Sequence, residues 1–351
     1  MNALFLYCRP GFENDCAAEI IDKAAQQGVT GYCKAKPQSG YVVFNAHEPA
    51  SHRLHQQLAI SELIFCRQWF VVLGLCKNLP VDDRVTPLLE LLQNAPSRST
   101  QVTVDTPDTN EGKQLSPLCR KLTPLLQKQL QSSVQENSGD DYVLHICFLS
   151  THAAYIGYAL TNNSEPWPMG VPRLKFPRQA PSRSTLKLEE AFLRLLTVKE
   201  REQLLHAGMH AVDLGAAPGG WTWQLVKRNI HVIAVDNGNL HPQLFDSGLV
   251  EHVRVDGFTY QPAQPVDWMV CDIIDRPQRV IECAAQWLTS GWCKQSIFNL
   301  KLPMKQRYQH TSACLAFLQT QLQAHNINYR LACKQLYHDR EEVTVFVRLL
   351  S

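Results

Sequence analysis

Short apolar runs separated by polar turns set the rhythm of this chain. Leu4–Cys8 is strand-like, and Pro10-Gly11 follows it as a turn. From Glu13 to Gln27 the spacing is helical, with Ala17, Ile20, Ile21 and Ala24 on one face. Gly31–Lys34 is a weak strand and Gly40–Phe44 a stronger one. His52–Ile60 is helical, and Trp69–Leu75 is a strongly apolar strand of the kind a core holds. The order is β-α-β-β-α-β. A second unit follows, with a helix near Leu88–Gln93, a strand at Gln101–Asp105 and a helix at Leu118–Leu130. Pro124 should kink or interrupt that last helix, because it lacks a backbone N–H. Strands at Tyr142–Leu149 and Ala153–Leu160 close the unit.

Beyond residue 183 the period changes. Short apolar strands recur at Ala211–Leu214, Val232–Val235, His252–Val255, Trp268–Cys271 and Ile297–Leu300, several of them separated by helical patterns. Strands alternating with helices predict a parallel sheet covered on both faces. A final pair, Tyr329–Lys334 and Val343–Leu349, reads as antiparallel. The fold class expected is therefore α/β in the C-terminal part, preceded by smaller α+β units.

The two parts meet in a stretch with five prolines, at 166, 168, 172, 177 and 181, which precludes a regular helix or a central strand. It carries Arg173, Lys175, Arg178 and Arg183. At about 150 residues per domain, 351 residues make two or three domains. Hydrophobic residues at 45% and charged residues at 19% are enough for packed cores and exclude a disordered chain. No apolar run approaches the roughly 18 residues of a membrane span, so a soluble, cytoplasmic protein is expected. The 12 cysteines include no CxxC pair and sit in apolar strings, so free buried thiols are expected and no metal site. Net charge is +2, but its distribution matters more than its sum. Residues 1–165 hold 13 Lys+Arg and 16 Asp+Glu, and residues 166–351 hold 21 and 16. Uniformly basic contact with nucleic acid is thereby excluded; local basic runs are not.

Candidate chemistry begins at Val212-Asp213-Leu214-Gly215-Ala216-Ala217-Pro218-Gly219-Gly220-Trp221, where a strand ends in small residues and a helix follows. Small residues let a ligand lie against the backbone. A dinucleotide fingerprint would need glycine at 217, where alanine stands. Asp236, Asp256 and Asp272 close three successive strands, and open α/β sheets bind ligands at those ends. An acid after the second strand can accept bonds from ribose hydroxyls, so a nucleoside ligand is expected.

The string DLGAAPGGW resembles the cofactor loop of class I S-adenosylmethionine-dependent methyltransferases, specifically the ribose 2′-O-methyltransferases of the FtsJ kind. Further strings, including Cys8–Glu13, Arg67–Val71, Pro172–Pro177 and Tyr337–Glu342, are similar to bacterial enzymes that methylate a cytidine of 23S ribosomal RNA. The resemblance covers nearly the whole chain. It implies a ferredoxin-like unit at 1–78, a THUMP RNA-binding unit at 79–165, a basic linker at 166–183 and a Rossmann-like methyltransferase domain at 184–351 with an antiparallel final strand. It implies S-adenosylmethionine contacts at Ser184, Ala217, Pro218, Gly219, Gly220, Asp236, Asp256 and Asp272. One departure is visible, since the family pattern has cysteine where Ala217 stands; both are small. The resemblance also implies a Lys-Asp-Lys-Glu tetrad of Lys187, Asp272, Lys301 and Glu342, with Glu341 as the alternative for the last. The partner implied is 23S rRNA, naked or in an early large-subunit precursor.

Such a tetrad suits the chemistry. A ribose hydroxyl must lose its proton while held in line with an activated methyl group. An ordinary lysine is protonated and cannot take that proton. A second ammonium beside it disfavours the charged form, which is the role expected of Lys187 toward Lys301. An amino-group methyltransferase would carry Pro-Pro-aromatic after the fourth strand, whereas Ile273-Ile274 follow Asp272. A non-catalytic RNA-binding assembly factor need not keep all four tetrad residues. RNA phosphates are expected at Arg173, Lys175, Arg178 and Arg183, and at a second run containing Lys305 and Arg307.

Overall fold

A nine-residue strand with ladders on both edges organises the N-terminal half. The computed structural model describes residues 2–95, 99, 101–132 and 142–350. The chain divides into two units, Met1–Pro172 and Arg173–Ser351, with the boundary inside the proline-rich stretch. In the first, β1 (Ala3–Tyr7), α1 (Glu13–Gln26), β2 (Gly31–Ala35), β3 (Tyr41–Ala46), α2 (Ser51–Gln57) and β4 (Gln68–Cys76) follow the order expected. Then come α3 (Val85–Leu92), β5 (Val102–Asp105), α4 (Asn110–Ser132), β6 (Tyr142–Ser150) and β7 (Ala153–Leu160). One seven-stranded sheet, ordered β2-β3-β1-β4-β7-β6-β5, runs through the whole unit. It is continuous because β4 pairs antiparallel with β1 on one edge and with β7 on the other. Trp69 and Phe70 on β4 are fully buried. Phe70 stacks on Phe5 with centroids 4.9 Å apart, an arrangement that adds to the burial of both rings.

Two local expectations change. The buried stripe of α1 is Cys16, Ile20 and Ala24, and Ile21 is exposed. Glu19 is buried with them because its carboxylate accepts hydrogen bonds from the Ile64 and Phe65 amides, at 2.5 and 2.9 Å. Helix α4 runs unbroken through both Pro117 and Pro124. Its stripe of Cys119, Leu122, Leu126 and Leu130 is buried, while both prolines lie on the exposed face. The carbonyls they leave without an intrahelical donor, at Lys113 and Arg120, belong to exposed residues where water can serve. Packing of one face overrides the local cost on the other.

The second unit holds α5 (Thr185–Leu195), α6 (Val198–Leu204), β8 (His210–Leu214), α7 (Gly220–Val226), β9 (His231–Val235) and β10 (Val250–Val253). These are followed by β11 (Val266–Cys271), α8 (Pro277–Thr289), β12 (Cys293–Lys301), α9 (Arg307–Ala324), β13 (Tyr329–Lys334) and β14 (Glu342–Leu349). The sheet order is β10-β9-β8-β11-β12-β14-β13. The first five strands are parallel, and β14 runs antiparallel between β12 and β13. Strand order reverses between β8 and β11, which opens a crevice at the carboxyl ends of those strands. Trp268 anchors the core below it. Its ring lies 6.0 Å from both Phe192 and Phe346, and its indole N–H donates to the Leu204 carbonyl at 2.6 Å. Among the described residues no helix is long and apolar enough to cross a membrane. All twelve cysteines are free, and ten are buried.

Replacing Pro124 with Ala should stabilise the first unit by about 1 kcal/mol or more, whereas Leu126→Ala should cost about 2–5 kcal/mol. Urea unfolding followed by circular dichroism checks both signs; a destabilising Pro124→Ala would mean that the proline makes a contact of its own.

Candidate active site

The crevice is floored by the turn after β8. Gly219 sits at φ +110°, in the left-handed region open to glycine. At Gly220 a Cβ would lie 2.2 Å from Ser184 Oγ, so glycine is needed for α7 to start this close to the segment entering α5. Trp221 fastens the same junction by donating its indole N–H to the Ser184 carbonyl at 3.1 Å. The Asp236 carboxylate, just past β9, accepts from the Ala217 amide at 2.9 Å and the Gly238 amide at 2.7 Å. Each of its oxygens keeps a further lone pair. The small residues 215–220, Ser184, Asp236 and Asp272 therefore gather at one end of the parallel strands.

Asp256 departs from its expected place. Strand β10 ends at Val253, so Asp256 lies in the following turn rather than at a strand end. Its side chain is 51% exposed, accepts from the Phe258 amide at 2.9 Å and faces Arg279 at 3.6 Å. The register is set by Val250 opposite Val232, two residues earlier than the apolar pattern implies.

Beside the crevice two lysines and two carboxylates converge. Lys187 Nζ stands 3.2 Å from Asp272 Oδ2 and 2.5 Å from Glu342 Oε1. Lys301 Nζ donates to Asp272 Oδ1 at 3.1 Å and also to Glu342 Oε2. Strand pairing explains the convergence, because Lys301 on β12 is directly opposite Glu342 on β14. Asp272 follows the adjacent strand β11, and Lys187 lies in the first turn of α5. Burial alone would lower the Lys187 pKa, but Asp272 and Glu342 outweigh it and hold it above the ordinary lysine value. Lys187 thus stays an ammonium. Glu341 faces elsewhere and pairs with Arg307 at 2.6 Å. Of the two glutamates, Glu342 is the one that reaches both lysines. Arg307 is mostly buried in that pair, whereas Arg173, Lys175, Arg178, Arg183 and Lys305 are exposed.

Sequence reasoning missed the groups behind the tetrad. Asn299 Nδ2 donates to Asp272 Oδ1 at 2.8 Å, and Thr344 Oγ1 donates to Asn299 Oδ1 at 2.7 Å. Asn299 and Thr344 are opposite each other in the same β12–β14 ladder. Their signal was a period of two, since each is a polar residue two positions from a tetrad member with apolar residues on either side. Glu190, fully buried on α5, accepts from the Tyr337 and His338 amides at 2.7 and 2.9 Å and lies 2.7 Å from His338 Nδ1. It fastens the segment that delivers Glu342. Asp339 in that segment is buried, and burial together with the nearby Glu342 charge raises its pKa well above the carboxylate range. Among the described residues no group of three or more His, Cys, Asp or Glu is placed to hold a metal ion.

Three family models cover most of the chain. RlmM ferredoxin-like domain matches residues 1–70; Ribosomal RNA large subunit methyltransferase M, N-terminal, matches 83–160; and FtsJ-like methyltransferase matches 180–343. Fold and match together define a class I methyltransferase of the FtsJ-like kind. Ribosomal RNA large subunit methyltransferase M of Cronobacter sakazakii is 50% identical, and that of Shigella sonnei 48% identical, each over 99% of this chain and 96% of the relative. The chain belongs to the ribosomal RNA large subunit methyltransferase M family. Among solved structures, TrmN from Thermus thermophilus covers 99% of both chains at 12% identity and a TM-score of 0.36, a likeness that adds nothing to the assignment.

Asp213, on β8 under the glycine turn, is fully buried and its pKa is pushed up to about 7 by desolvation, although it accepts from Thr222 Oγ1 at 2.6 Å. The native state then keeps a proton that the unfolded chain releases above about pH 4, so stability falls as pH rises from 4 to 7 and stays lower above that. Asp213→Asn should therefore gain on the wild type between pH 5 and pH 8, by at most about 3 kcal/mol. Urea titrations at the two pH values read the gap; a constant gap would show that Asp213 titrates normally.

Proposed function

We propose that this protein transfers a methyl group from S-adenosylmethionine to the ribose 2′-hydroxyl of a cytidine in 23S ribosomal RNA. The observation that carries the reading is the meeting of Lys187, Asp272, Lys301 and Glu342 within hydrogen-bond reach at the edge of the crevice. Asp236 and the 215–220 turn, with Ser184 and Asp272, would hold the cofactor; the free lone pairs on Asp236 suit ribose hydroxyls. Bound S-adenosylmethionine supplies a methyl group already activated on a positively charged sulfur.

The protein's own task is to position the hydroxyl oxygen and remove its proton. Lys301 Nζ is the group that takes that proton. Lys187, held as an ammonium, stabilises the oxygen as it gains negative charge. Asp272 and Glu342 orient both amines and, once Lys301 has taken the proton, balance the cluster with two charges of each sign. The segment after Asp272 runs Ile273-Ile274, which offers no aromatic face to a flipped base and weighs against base methylation. A non-catalytic assembly factor would have no use for two lysines and two acids aimed at one point. The exposed basic run from Arg173 to Arg183 is suited to RNA phosphates, and the N-terminal unit to THUMP-like recognition of RNA shape. The protein would act in the cytoplasm, on naked RNA or on an early large-subunit precursor.

Lys301→Ala should lower methyl transfer to 23S rRNA by at least about a hundredfold while the affinity for S-adenosylmethionine stays within twofold, as read by radiolabel incorporation and calorimetry. Turnover at the wild-type rate would remove Lys301 as the base, and mapping the methylated position in the product reports the ribose and the nucleotide. A Lys175→Glu, Arg178→Glu double variant should bind RNA more weakly, with a shallower salt dependence and unchanged cofactor affinity. Equal RNA binding by filter assay at several salt concentrations would place the phosphate contacts elsewhere.

A further inference from the structure

Behind Asp272 a line of neutral hydrogen-bonding groups runs into the core of the catalytic unit. Asn299 and Thr344 are both fully buried, and Asp339 is 1% exposed. The direction of each bond follows from what each group can give. Asn299 approaches Asp272 with its Nδ2, at 2.8 Å, and a carboxylate only accepts. That leaves Asn299 Oδ1, an acceptor, facing Thr344 Oγ1 at 2.7 Å, so the threonine gives its single proton there. Asp339 then faces the threonine oxygen at 3.1 and 3.3 Å with no threonine proton left to receive. The contact is favourable when Asp339 is the donor, in its neutral acid form. Burial and the adjacent Glu342 charge favour that form, and the Leu336 amide occupies Asp339 Oδ2 at 2.9 Å.

We propose that Asn299 is a positioning residue for methyl transfer, and that Thr344 and Asp339 fix which end of its amide faces Asp272. Turned the other way, Asn299 would set a carbonyl oxygen against the Asp272 carboxylate. Two acceptors repel, and Asp272 would leave the point at which it meets Lys187 and Lys301. The chain of bonds therefore sets where both amines stand relative to the reacting hydroxyl. Asn299 acts on the lysines through Asp272, and Thr344 acts through Asn299. The inference rests on the reading of Lys301 as the proton acceptor, and it adds to that reading three residues that no tetrad motif contains.

Thr344→Val removes the hydroxyl at nearly equal volume, and Thr344→Ser keeps it. In steady-state methyl transfer to 23S rRNA, Thr344→Val should lose about tenfold or more in kcat, with KM for S-adenosylmethionine and for RNA within twofold. Thr344→Ser should retain most of the wild-type kcat. A Thr344→Val enzyme with wild-type kcat, or a serine variant as impaired as the valine one, overturns the inference. Asp339→Asn supplies a donor without titrating, so it should also keep most of the activity; a folded Asp339→Asn enzyme with kcat as low as Thr344→Val overturns it equally. Lys301→Ala, assayed alongside, separates the two readings. If it is inactive while Thr344→Val is normal, only the positioning role fails; if it turns over normally, the base assignment fails, and the valine and serine pair still decides the positioning role.

Discussion

Antiparallel pairing of β14 against β12 is the constraint on which the site depends. One ladder sets Lys301 opposite Glu342 and Asn299 opposite Thr344. A slip of β14 by a single residue would turn Glu342 and Thr344 to the other face of the sheet, away from Lys301 and Asn299. The register is held by apolar positions between and beside them, since Phe298, Leu300, Val343 and Val345 are all fully buried. The same strands thus fill the core with one set of alternating residues and present the chemistry with the other. That is why β14 must return antiparallel within an otherwise parallel sheet. It carries Glu342 back to the carboxyl end of β12, where Lys301 is.

Buried carboxylates then decide how the connections reach that point. Glu190 receives the backbone of residues 337 and 338, and Asp339 caps Leu336 and faces Thr344. Asp339 sits beside another carboxylate, Glu342, and burial together with that charge raises its pKa well above the carboxylate range. A buried acid facing another carboxylate is better neutral. The first unit uses the same device far from any site, where Glu19 satisfies two amides of the segment before β4.

Several features were legible in the residue string for identifiable reasons. The glycine turn announces itself as a run of small residues between a strand and a helix, and the positive φ of Gly219 is a local demand, whereas Gly220 answers to Ser184, far away in the chain. Most strands were visible because alternation and apolar runs are local as well. Where the reading failed, a distant group had intervened. Pro124 does not break α4, because Leu122 and Leu126 hold that helix against the sheet on its opposite face. Ile21 is exposed and Glu19 buried, because residues 64 and 65 bring amide donors to α1. Asp256 falls in a turn, because β10 takes its register from β9 rather than from its own apolar pattern.

The choice between Glu341 and Glu342 shows where the sequence stops. Adjacent residues on a strand point to opposite faces, so only one of them can join the lysines, and neither identity nor spacing says which. Pairing with β12 turns Glu342 inward and leaves Glu341 to Arg307. By itself the sequence determined the kinds of element, the presence of two lysines and two acids, and the position of the glycine turn, because these depend on neighbours in the chain. Tertiary structure decided which acids are charged, which polar residues support the tetrad and which arginine is already committed to a partner. Those properties depend on burial and on charges that strand pairing and the packing of α5 bring together from distant parts of the chain.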